Sequence, residues 1–560
     1  MDISEKPVDR EKLNFTTKLA YGSGDMGPAI TANILVFFLL YFFTNVAGLP
    51  AGLAGSILAI SKVGDAINDP IAGILSDRTR TRWGRRIPWM LLGTIPFGIF
   101  FFLQWIVPEF SADPEVNKWC LFAYYIIIAT FFNLAYTIVN LPYTALTPEL
   151  TRDYNERTSL NSFRFAFSIG GSILSLVLAG FIAEAYPIDL KQRYLVFALI
   201  STLLCVTALF WCTLRIQEKG AVPLLQKQGK KILGFILTTL GVVAIVYGIN
   251  FISASINLPV TTDPSVLLQG KRDFLKGVVG ILFGLQFVGF GLSMIFAKVE
   301  PHLNSVEAIA AKNEADNAPS IAIKEQLKIA FTNKAFLYVM GIYMCSWLGV
   351  QMTASILIYY VVGWMGMNED AFPMVAIAVQ GTALVMLFFW KFVSDKLGKK
   401  AVYYMGTALW IVAQAALFLI QPGQTSLLYI GAVMAGFGVS VAYLIPWSMI
   451  PDVVDLDELN TGKRREGIFY SFMIFMQKLG LAVALFLIGI ALEWSGFIER
   501  IPGEPIPVQP DSALFAIRVA IAPLPTVFLI IGLVLTYFYP ITKEVHADIL
   551  MQLQARKNNG

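Results

Sequence analysis

Long apolar stretches are the feature that most constrains this chain of 560 residues. A helix that crosses a bilayer needs about 20 mostly apolar residues, and the sequence contains fourteen such stretches. Hydrophobic residues make up 56% of the chain and charged residues only 14%, whereas about 25% of an average soluble domain is charged. The sequence therefore predicts an all-α polytopic membrane protein.

The composition also argues against several classes of protein. The low charge and 13% aromatic content argue against disorder, and four cysteines without paired spacing argue against a disulfide scaffold. Two histidines are too few for a histidine metal cluster, so we expect neither an enzyme nor a bound cofactor. The formal charge of +4 is too small to suggest a nucleic-acid partner. A charged segment without a cleavage site precedes the first apolar stretch, so we expect no signal peptide.

The fourteen stretches are arranged as six, two and six along the chain. We predict an N-terminal six-helix bundle in residues 1–216 and a C-terminal six-helix bundle in residues 331–542. A central insertion (217–330) would contain two extra transmembrane helices and a cytoplasmic amphipathic segment. The remaining residues, 543–560, would form a cytoplasmic tail. The extra pair carries no polar group that demands transport chemistry, so we expect it to be peripheral.

The positions of Lys and Arg predict the orientation of the chain in the membrane. With an inside N-terminus, the cytoplasmic segments carry 31 of the 42 Lys and Arg residues and the exterior loops carry six. This bias places both termini in the cytoplasm. It indicates a multi-pass protein of the plasma or inner membrane, surrounded by lipid.

Two pairs of similar loops occur at equivalent places in the two halves. GILSDRTRTRWGRR (73–86) corresponds to KFVSDKLGKK (391–400), and LPYTALTPEL (141–150) corresponds to IPWSMIPDVV (445–454). The alternative is that the basic turns merely follow the positive-inside rule. Because both pairs occur in the same loop order, we favour parallel repeats.

Charged residues inside the second apolar stretch indicate a cation site. Asp65 and Asp69 are four residues apart in ISKVGDAINDPIAG (60–73), so they share one helix face. Two such carboxylates cannot both stay ionised cheaply without a cation or a proton, and carboxylate oxygens suit a hard cation such as sodium. The alternative is a structural salt-bridge cluster with the neighbouring Lys62.

Further polar side chains in the apolar stretches are candidates for a substrate site. Arg164 and Lys478 are costly intramembrane cations in different halves, although a long basic side chain near a helix end can also snorkel outward. The fourth stretch has one polar face, consisting of Thr130, Asn133, Thr137 and Asn140, with Tyr136 beside it. The second half offers Gln351, four residues after Trp347. Hydrogen bonding between helices is the alternative explanation for the polar face.

Several motifs resemble the glycoside–pentoside–hexuronide:cation symporters, the melibiose-permease-like branch of the major facilitator superfamily. They are KLAYGSGDMG (18–27), DAINDP (65–70), RTRWGR (80–85), YTIVNLPYTALTPE (136–149), the arginine in SFRF, PDVVDLDE (451–458) and the lysine in MQKLG. The resemblance covers both halves but not the insertion. It implies the major facilitator fold, here with two extra central helices and fourteen spans in total.

The resemblance also implies roles for individual residues. The paired acids of the second span bind the coupling cation, which corresponds to Asp65 and Asp69, and the threonine of the fourth span corresponds to Thr137. The conserved basic residues correspond to Arg164 and Lys478. Three positions depart from melibiose permease, namely Ala29, Asn140 and Thr144, which argues against galactoside specificity.

We therefore expect a sodium- or proton-coupled symporter of a carbohydrate, working as a monomer by alternating access. The cation would bind Asp65, Asp69 and Thr137, and the substrate would contact Tyr136, Asn140, Arg164, Gln351 and Lys478. A sodium-dependent lysophospholipid symporter is the alternative, because a lipid-carrying branch of the family shares the aspartate motif. A membrane-embedded enzyme would lack any obvious nucleophile–base or metal constellation, and a non-transporting receptor or scaffold would leave the intramembrane charges without a task.

Overall fold

The computed structural model describes residues 13–151, 154–218, 220–258, 263–297, 323–462, 465–500 and 507–559. Within these ranges the regular structure is helical, apart from one isolated bridge between Thr81 and Gly84. The predicted amphipathic segment at 301–328 lies largely outside the described residues. The prediction of an all-helical chain is confirmed for the part that the structure describes.

Twelve helices among the described residues are long and apolar enough to cross a membrane. The predicted second and third spans are the two that do not meet this measure. At the position of the second predicted span the apolar part of the helix is only Ala51–Lys62, and at the position of the third the helix is Ile87–Leu103. At 17 residues, Ile87–Leu103 rises only about 26 Å. The predicted total of fourteen spans is therefore not confirmed.

The described residues from Leu13 to Ala297 form ten α-helices, with one wider π-helical turn at Leu35–Leu39. The α-helices are α1 (Phe15–Ile34), α2 (Leu40–Asn45), α3 (Ala51–Arg78), α4 (Ile87–Leu103), α5 (Pro114–Thr144), α6 (Thr147–Leu150), α7 (Tyr154–Ala185), α8 (Leu190–Arg215), α9 (Lys227–Ile256) and α10 (Pro264–Ile295).

The described residues of the second half form nine more α-helices. They are α11 (Ile323–Thr332), α12 (Lys334–Tyr359), α13 (Phe372–Leu397), α14 (Lys399–Leu419), α15 (Thr425–Thr461), α16 (Glu466–Trp494), α17 (Asp511–Ile521), α18 (Pro523–Phe538) and α19 (Lys543–Asn559). A second π-helical turn, Tyr360–Trp364, follows α12, and a 3-10 turn, Glu369–Ala371, precedes α13.

The chain packs as two compact units, residues 1–34 with 64–318 and residues 35–63 with 319–560. Helices α9 and α10 of the insertion thus belong to the first unit. Helix α3 contributes its first part to the second unit and its remainder to the first. The domain boundaries predicted from the sequence stay predictions.

Aspartates in the connecting loops begin several of the long helices. The carboxylate of Asp113 accepts hydrogen bonds from the second and third backbone amides of α5. Asp189 and Asp263 cap α8 and α10 in the same way. Such caps satisfy amides that have no partner within the helix, so these loop residues fix where the apolar helices start.

Helices α9 and α10 of the insertion pack closely along glycines spaced seven residues apart. The glycines are Gly234, Gly241 and Gly248 on α9 and Gly277, Gly284 and Gly291 on α10. A Cβ atom at Gly241 would lie 2.6 Å from the Gly284 carbonyl oxygen, and one at Gly248 would lie 2.6 Å from that of Gly277. Small residues allow two helix backbones to approach in this way, so the insertion forms a tight helical hairpin.

This hairpin attaches to α8 at a few specific contacts. The Trp211 indole donates to the Ser293 hydroxyl over 2.7 Å, and its ring stacks on Phe290 with the centroids 5.9 Å apart. The Gln286 amide donates to the Leu204 carbonyl over 3.0 Å. In the most apolar part of α9, only 17% of the residues are buried, compared with 94% in Lys334–Trp364. This low burial agrees with a peripheral position for the hairpin.

Residues 35–63 are tied to the second unit by polar contacts. The Tyr41 hydroxyl donates to Glu369 over 2.8 Å, and Arg500 lies 3.4 Å from the same carboxylate. The Glu499 carboxylate accepts from the first backbone amide of α3, that of Ala51, over 3.2 Å. Burial raises the pKa of the Glu499 carboxyl above its ordinary value.

The basic turn between α3 and α4 is held by a distant glutamate. Glu218 is 1% exposed, and its carboxylate accepts from the backbone amides of Arg85, Arg86 and Ile87 over 2.9, 2.7 and 2.7 Å. Gly84 has a φ of +109°, which favours glycine, and a Cβ atom there would overlap the Glu218 carboxylate. The glycine of the RTRWGR motif thus has a structural role.

The acids of the PDVVDLDE motif connect α15 to neighbouring segments of the second unit. Asp452 accepts hydrogen bonds from Lys399 over 2.6 and 2.7 Å. The imidazole Nε2 of His546, on α19, lies 3.1 Å from the Asp455 carboxylate. In the second unit, these two acids of the motif thus hold neighbouring helices against α15.

Candidate functional site

The predicted cation ligands of α3 and α5 meet in the first unit. The Thr137 hydroxyl donates to the Asp69 carboxylate over 2.7 Å, and Thr137 is only 2% exposed. Asp65 lies one helical turn before Asp69 on α3, which puts their Cβ atoms about 6 Å apart on one face. The side chain of Asp65 lies outside the described side chains.

The polar face of α5 continues one turn beyond Thr137 with Asn140. The Asn140 side-chain oxygen is buried and has no hydrogen-bond partner among the described residues. A buried acceptor without a partner costs free energy, so this oxygen is available to a ligand or a water molecule. Tyr136 lies beside it, with its ring 6.2 Å from Phe97 and 6.1 Å from Phe132, measured between centroids.

Arg164 pairs with an acid that sequence reasoning did not single out. Its Nε lies 3.4 Å from the Asp25 carboxylate, and Asp25 is 7% exposed. The guanidinium also lies over the Tyr143 ring, 5.8 Å from its centroid. Arg164 thus points towards Asp25 instead of snorkelling outward. An acid within the first apolar stretch, in KLAYGSGDMG, was the signal that could have identified Asp25.

The two predicted residues of the second unit lie on α12 and α16. Gln351 is 5% exposed, and Lys478 is half-buried. Next to Lys478, the Gln477 carbonyl accepts a hydrogen bond from the Trp347 indole over 2.9 Å. Gly480 leaves room for that indole, since a Cβ atom at Gly480 would lie 2.9 Å from it. Trp347 thus packs against Gly480, two residues after Lys478.

These contacts define the chemistry available in each unit. In the first unit a carboxylate and a hydroxyl are in contact, as ligands of a hard cation would be, and an unpartnered amide oxygen and a paired guanidinium lie on α5 and α7. The second unit provides an amide and an ammonium group.

Comparison with known proteins assigns the family. The family model described as MFS/sugar transport protein matches residues 20–234 and 228–543. An uncharacterized symporter, sll1374 of Synechocystis sp., is 58% identical over 99% of both chains. The sodium-dependent lysophosphatidylcholine symporter 1 of Gallus gallus is 25% identical over 97% of this chain and 90% of its own.

Comparison with solved structures supports the fold. The xylose transporter XylE from E. coli, in a partially occluded inward open conformation, aligns with a TM-score of 0.53 over 94% of this chain and 97% of its own. At 12% identity this similarity concerns the fold alone. Together with the family match over both halves, it shows that the chain belongs to the MFS/sugar transport proteins, the melibiose-permease-like symporters of the major facilitator superfamily.

Proposed function

We propose that this protein is a secondary symporter that couples the movement of a carbohydrate (a glycoside, pentoside or hexuronide) to that of sodium or protons, by alternating access. The observation that carries the proposal is the hydrogen bond from Thr137 to Asp69. It joins an intramembrane carboxylate to a buried hydroxyl on another helix, as a cation site requires. The cation is cargo, so its binding must be reversible.

In this proposal the cation binds Asp65, Asp69 and Thr137. Two carboxylates one turn apart repel each other when both are ionised, and a sodium ion or a proton between them would relieve that repulsion. Cation binding would then favour the state that binds substrate, and the coupling between the two ligands would be reciprocal.

Polar groups from both units would bind the substrate. The first unit supplies Tyr136, Asn140 and Arg164, and the second supplies Gln351 and Lys478. The unpartnered oxygen of Asn140 can accept a hydrogen bond from a sugar hydroxyl, and amides suit such neutral groups.

A sodium-dependent lysophospholipid symporter is the second candidate. The Gallus gallus relative, named as a lysophosphatidylcholine symporter, matches along 97% of this chain. The two candidates differ in the size and polarity of the substrate. Uptake into proteoliposomes, with sugars and lysolipids tested under imposed sodium and proton gradients, separates them. Uptake of neither class above protein-free liposomes would contradict the proposal.

We further propose that all fourteen predicted helices cross the plasma or inner membrane, with both termini in the cytoplasm, and that the monomer is the functional unit. Helix α3 runs for 28 residues, Ala51–Arg78, which is long enough to span a bilayer. Single cysteines placed in the loops on both sides of α3 and α4 should react with a membrane-impermeant maleimide from opposite sides.

Replacing Thr137 by alanine should weaken cation binding. The change removes one oxygen ligand and the hydrogen bond that orients the Asp69 carboxylate. If this loss costs the bound state about 1.4 kcal/mol, the half-saturating cation concentration should rise about tenfold. Thr137→Ser keeps the hydroxyl and serves as the control. An unchanged cation dependence in Thr137→Ala would exclude this hydroxyl from the site.

Replacing Asn140 by alanine should weaken substrate binding by about 2- to 13-fold, since one neutral hydrogen bond contributes about 0.5–1.5 kcal/mol. Direct binding of the identified substrate to the purified variant measures the change. Thr207→Ala is a suitable control, because that exposed hydroxyl bonds a carbonyl of its own helix. Equal affinity of Asn140→Ala and the wild type would leave Asn140 as a packing residue.

A further inference from the structure

The glycines of the YGSGD motif bring Asp25 close to α7. A Cβ atom at Gly22 would lie 2.9 Å from the backbone oxygen of Phe163, the residue before Arg164. A Cβ atom at Gly24 would overlap the ring of Tyr143 and lie 2.8 Å from the Cys212 sulfur. Larger residues at these two positions would move α1 away from its neighbours, so the motif serves to place the acid that follows it.

Asp25 and Arg164 form a nearly buried ion pair in the first unit. The side chains are 10% and 25% exposed, and Nε and the carboxylate are 3.4 Å apart. An unpaired charge at this depth would be costly, so each member of the pair compensates the other.

The arginine is oriented but not saturated. A guanidinium has five N–H donors, and the Asp25 carboxylate approaches the Nε atom of Arg164, at 3.4 Å. The guanidinium lies over the ring of Tyr143, and the Tyr143 hydroxyl is fixed by donating to the Tyr21 carbonyl over 2.8 Å. The carboxylate and the ring thus fix the direction of the guanidinium and leave N–H groups for a ligand.

We propose that Asp25 is a specificity-determining residue that positions Arg164 and cancels its charge, which lowers the affinity of the site for anionic substrates relative to neutral ones. This inference rests on the proposed role of Arg164 in substrate binding. With Asp25 in place, the pair offers hydrogen-bond donors but no net positive charge. Without it, Arg164 would attract anionic substrates and lose its fixed direction. Specificity is a difference between two affinities, and this carboxylate would lower the affinity for anions.

The first test compares matched substrates in proteoliposomes. Methyl β-D-glucuronide has a carboxylate where methyl β-D-glucoside has a hydroxymethyl group. Lysophosphatidylglycerol is anionic, whereas lysophosphatidylcholine carries no net charge. We expect Asp25→Asn to raise the preference for the anionic member of the transported pair by about tenfold. Asp25→Glu should keep the wild-type preference, and the double variant Asp25→Asn with Arg164→Gln should abolish the gain. An unchanged preference in a folded Asp25→Asn protein would overturn the assignment.

The second test requires no substrate and therefore separates this inference from the proposed function. Melting temperatures of Asp25→Asn, Arg164→Gln and the double variant form a double-mutant cycle. We expect the melting temperature of the double variant to fall by clearly less than the sum of the decreases in the two single variants. The exposed pair Lys118–Glu115, with 2.6 Å between its charged atoms, is the control and should give additive effects. Additive effects at Asp25 and Arg164 would show that the ion pair does not exist in the folded protein.

Discussion

Asp69→Asn should abolish substrate accumulation against a gradient, leaving uptake only to equilibrium. The amide is isosteric and can still accept the hydrogen bond from Thr137, which spans 2.7 Å, so the packing of α3 against α5 should survive. The substitution removes the negative charge that binds the cation. Losing one carboxylate ligand should cost at least about 3 kcal/mol, or more than a hundredfold in cation affinity. Asp65→Asn should have the same effect.

Gradient-driven uptake and substrate exchange without a gradient, measured on the same proteoliposomes, test this prediction. We expect some exchange to remain, because removal of the coupling charge need not block the substrate path. Asp113→Asn is the matched control, since it neutralises an exposed acid that caps α5, and asparagine caps a helix about as well. Wild-type accumulation in both Asp65→Asn and Asp69→Asn would refute the cation site.

Glu218→Ala should strongly destabilise the first unit. It leaves three backbone amides at the start of α4 without their acceptor, in a place where the glutamate is 1% exposed. Each buried donor left unsatisfied costs about 1–3 kcal/mol, and the carboxylate also interacts favourably with the helix N-terminus. Three such donors correspond to about 3–9 kcal/mol, and water entering the space should reduce the observed loss to about 3–6 kcal/mol.

Thermal unfolding of the purified protein, together with the yield of monodisperse material, measures the loss. Glu218→Gln should lie between the wild type and Glu218→Ala, because its amide offers one acceptor oxygen without charge. Glu115→Ala, at an exposed position, should melt like the wild type. If Glu218→Ala melted at the wild-type temperature, the glutamate would not hold this turn.

Local patterns in the sequence predicted the elements of the fold. Apolar length located the helices. The family resemblance assigned Asp69 and Thr137 to one cation site, and in the structure the Thr137 hydroxyl donates to the Asp69 carboxylate. Helix α1 begins at Phe15, and its first turns carry Lys18 and several small residues. In the structure, Lys18 pairs with Glu156 over 2.9 Å, and this contact allows the helix to extend beyond its apolar core.

Contacts between distant segments were beyond the reach of a single sequence. The pairing of Asp25 with Arg164 and the capping of α4 by Glu218 depend on the rotation and depth of separate helices, which periodicity does not determine. Basic turns and acidic motifs near the membrane surface were interpreted as orientation signals and family markers. The structure shows that Gly84 and Asp452 also have packing roles.

If cation and substrate move together, a substrate gradient must be able to drive the cation. The most direct measurement therefore imposes a substrate gradient and records cation movement. Proteoliposomes are loaded with equal cation concentrations on both sides, and an inward gradient of the identified substrate is imposed. Because coupling is reciprocal, we predict that substrate entry drives uphill accumulation of sodium or protons, and that Asp69→Asn eliminates it. Substrate entry without any cation accumulation in the wild-type protein would contradict symport.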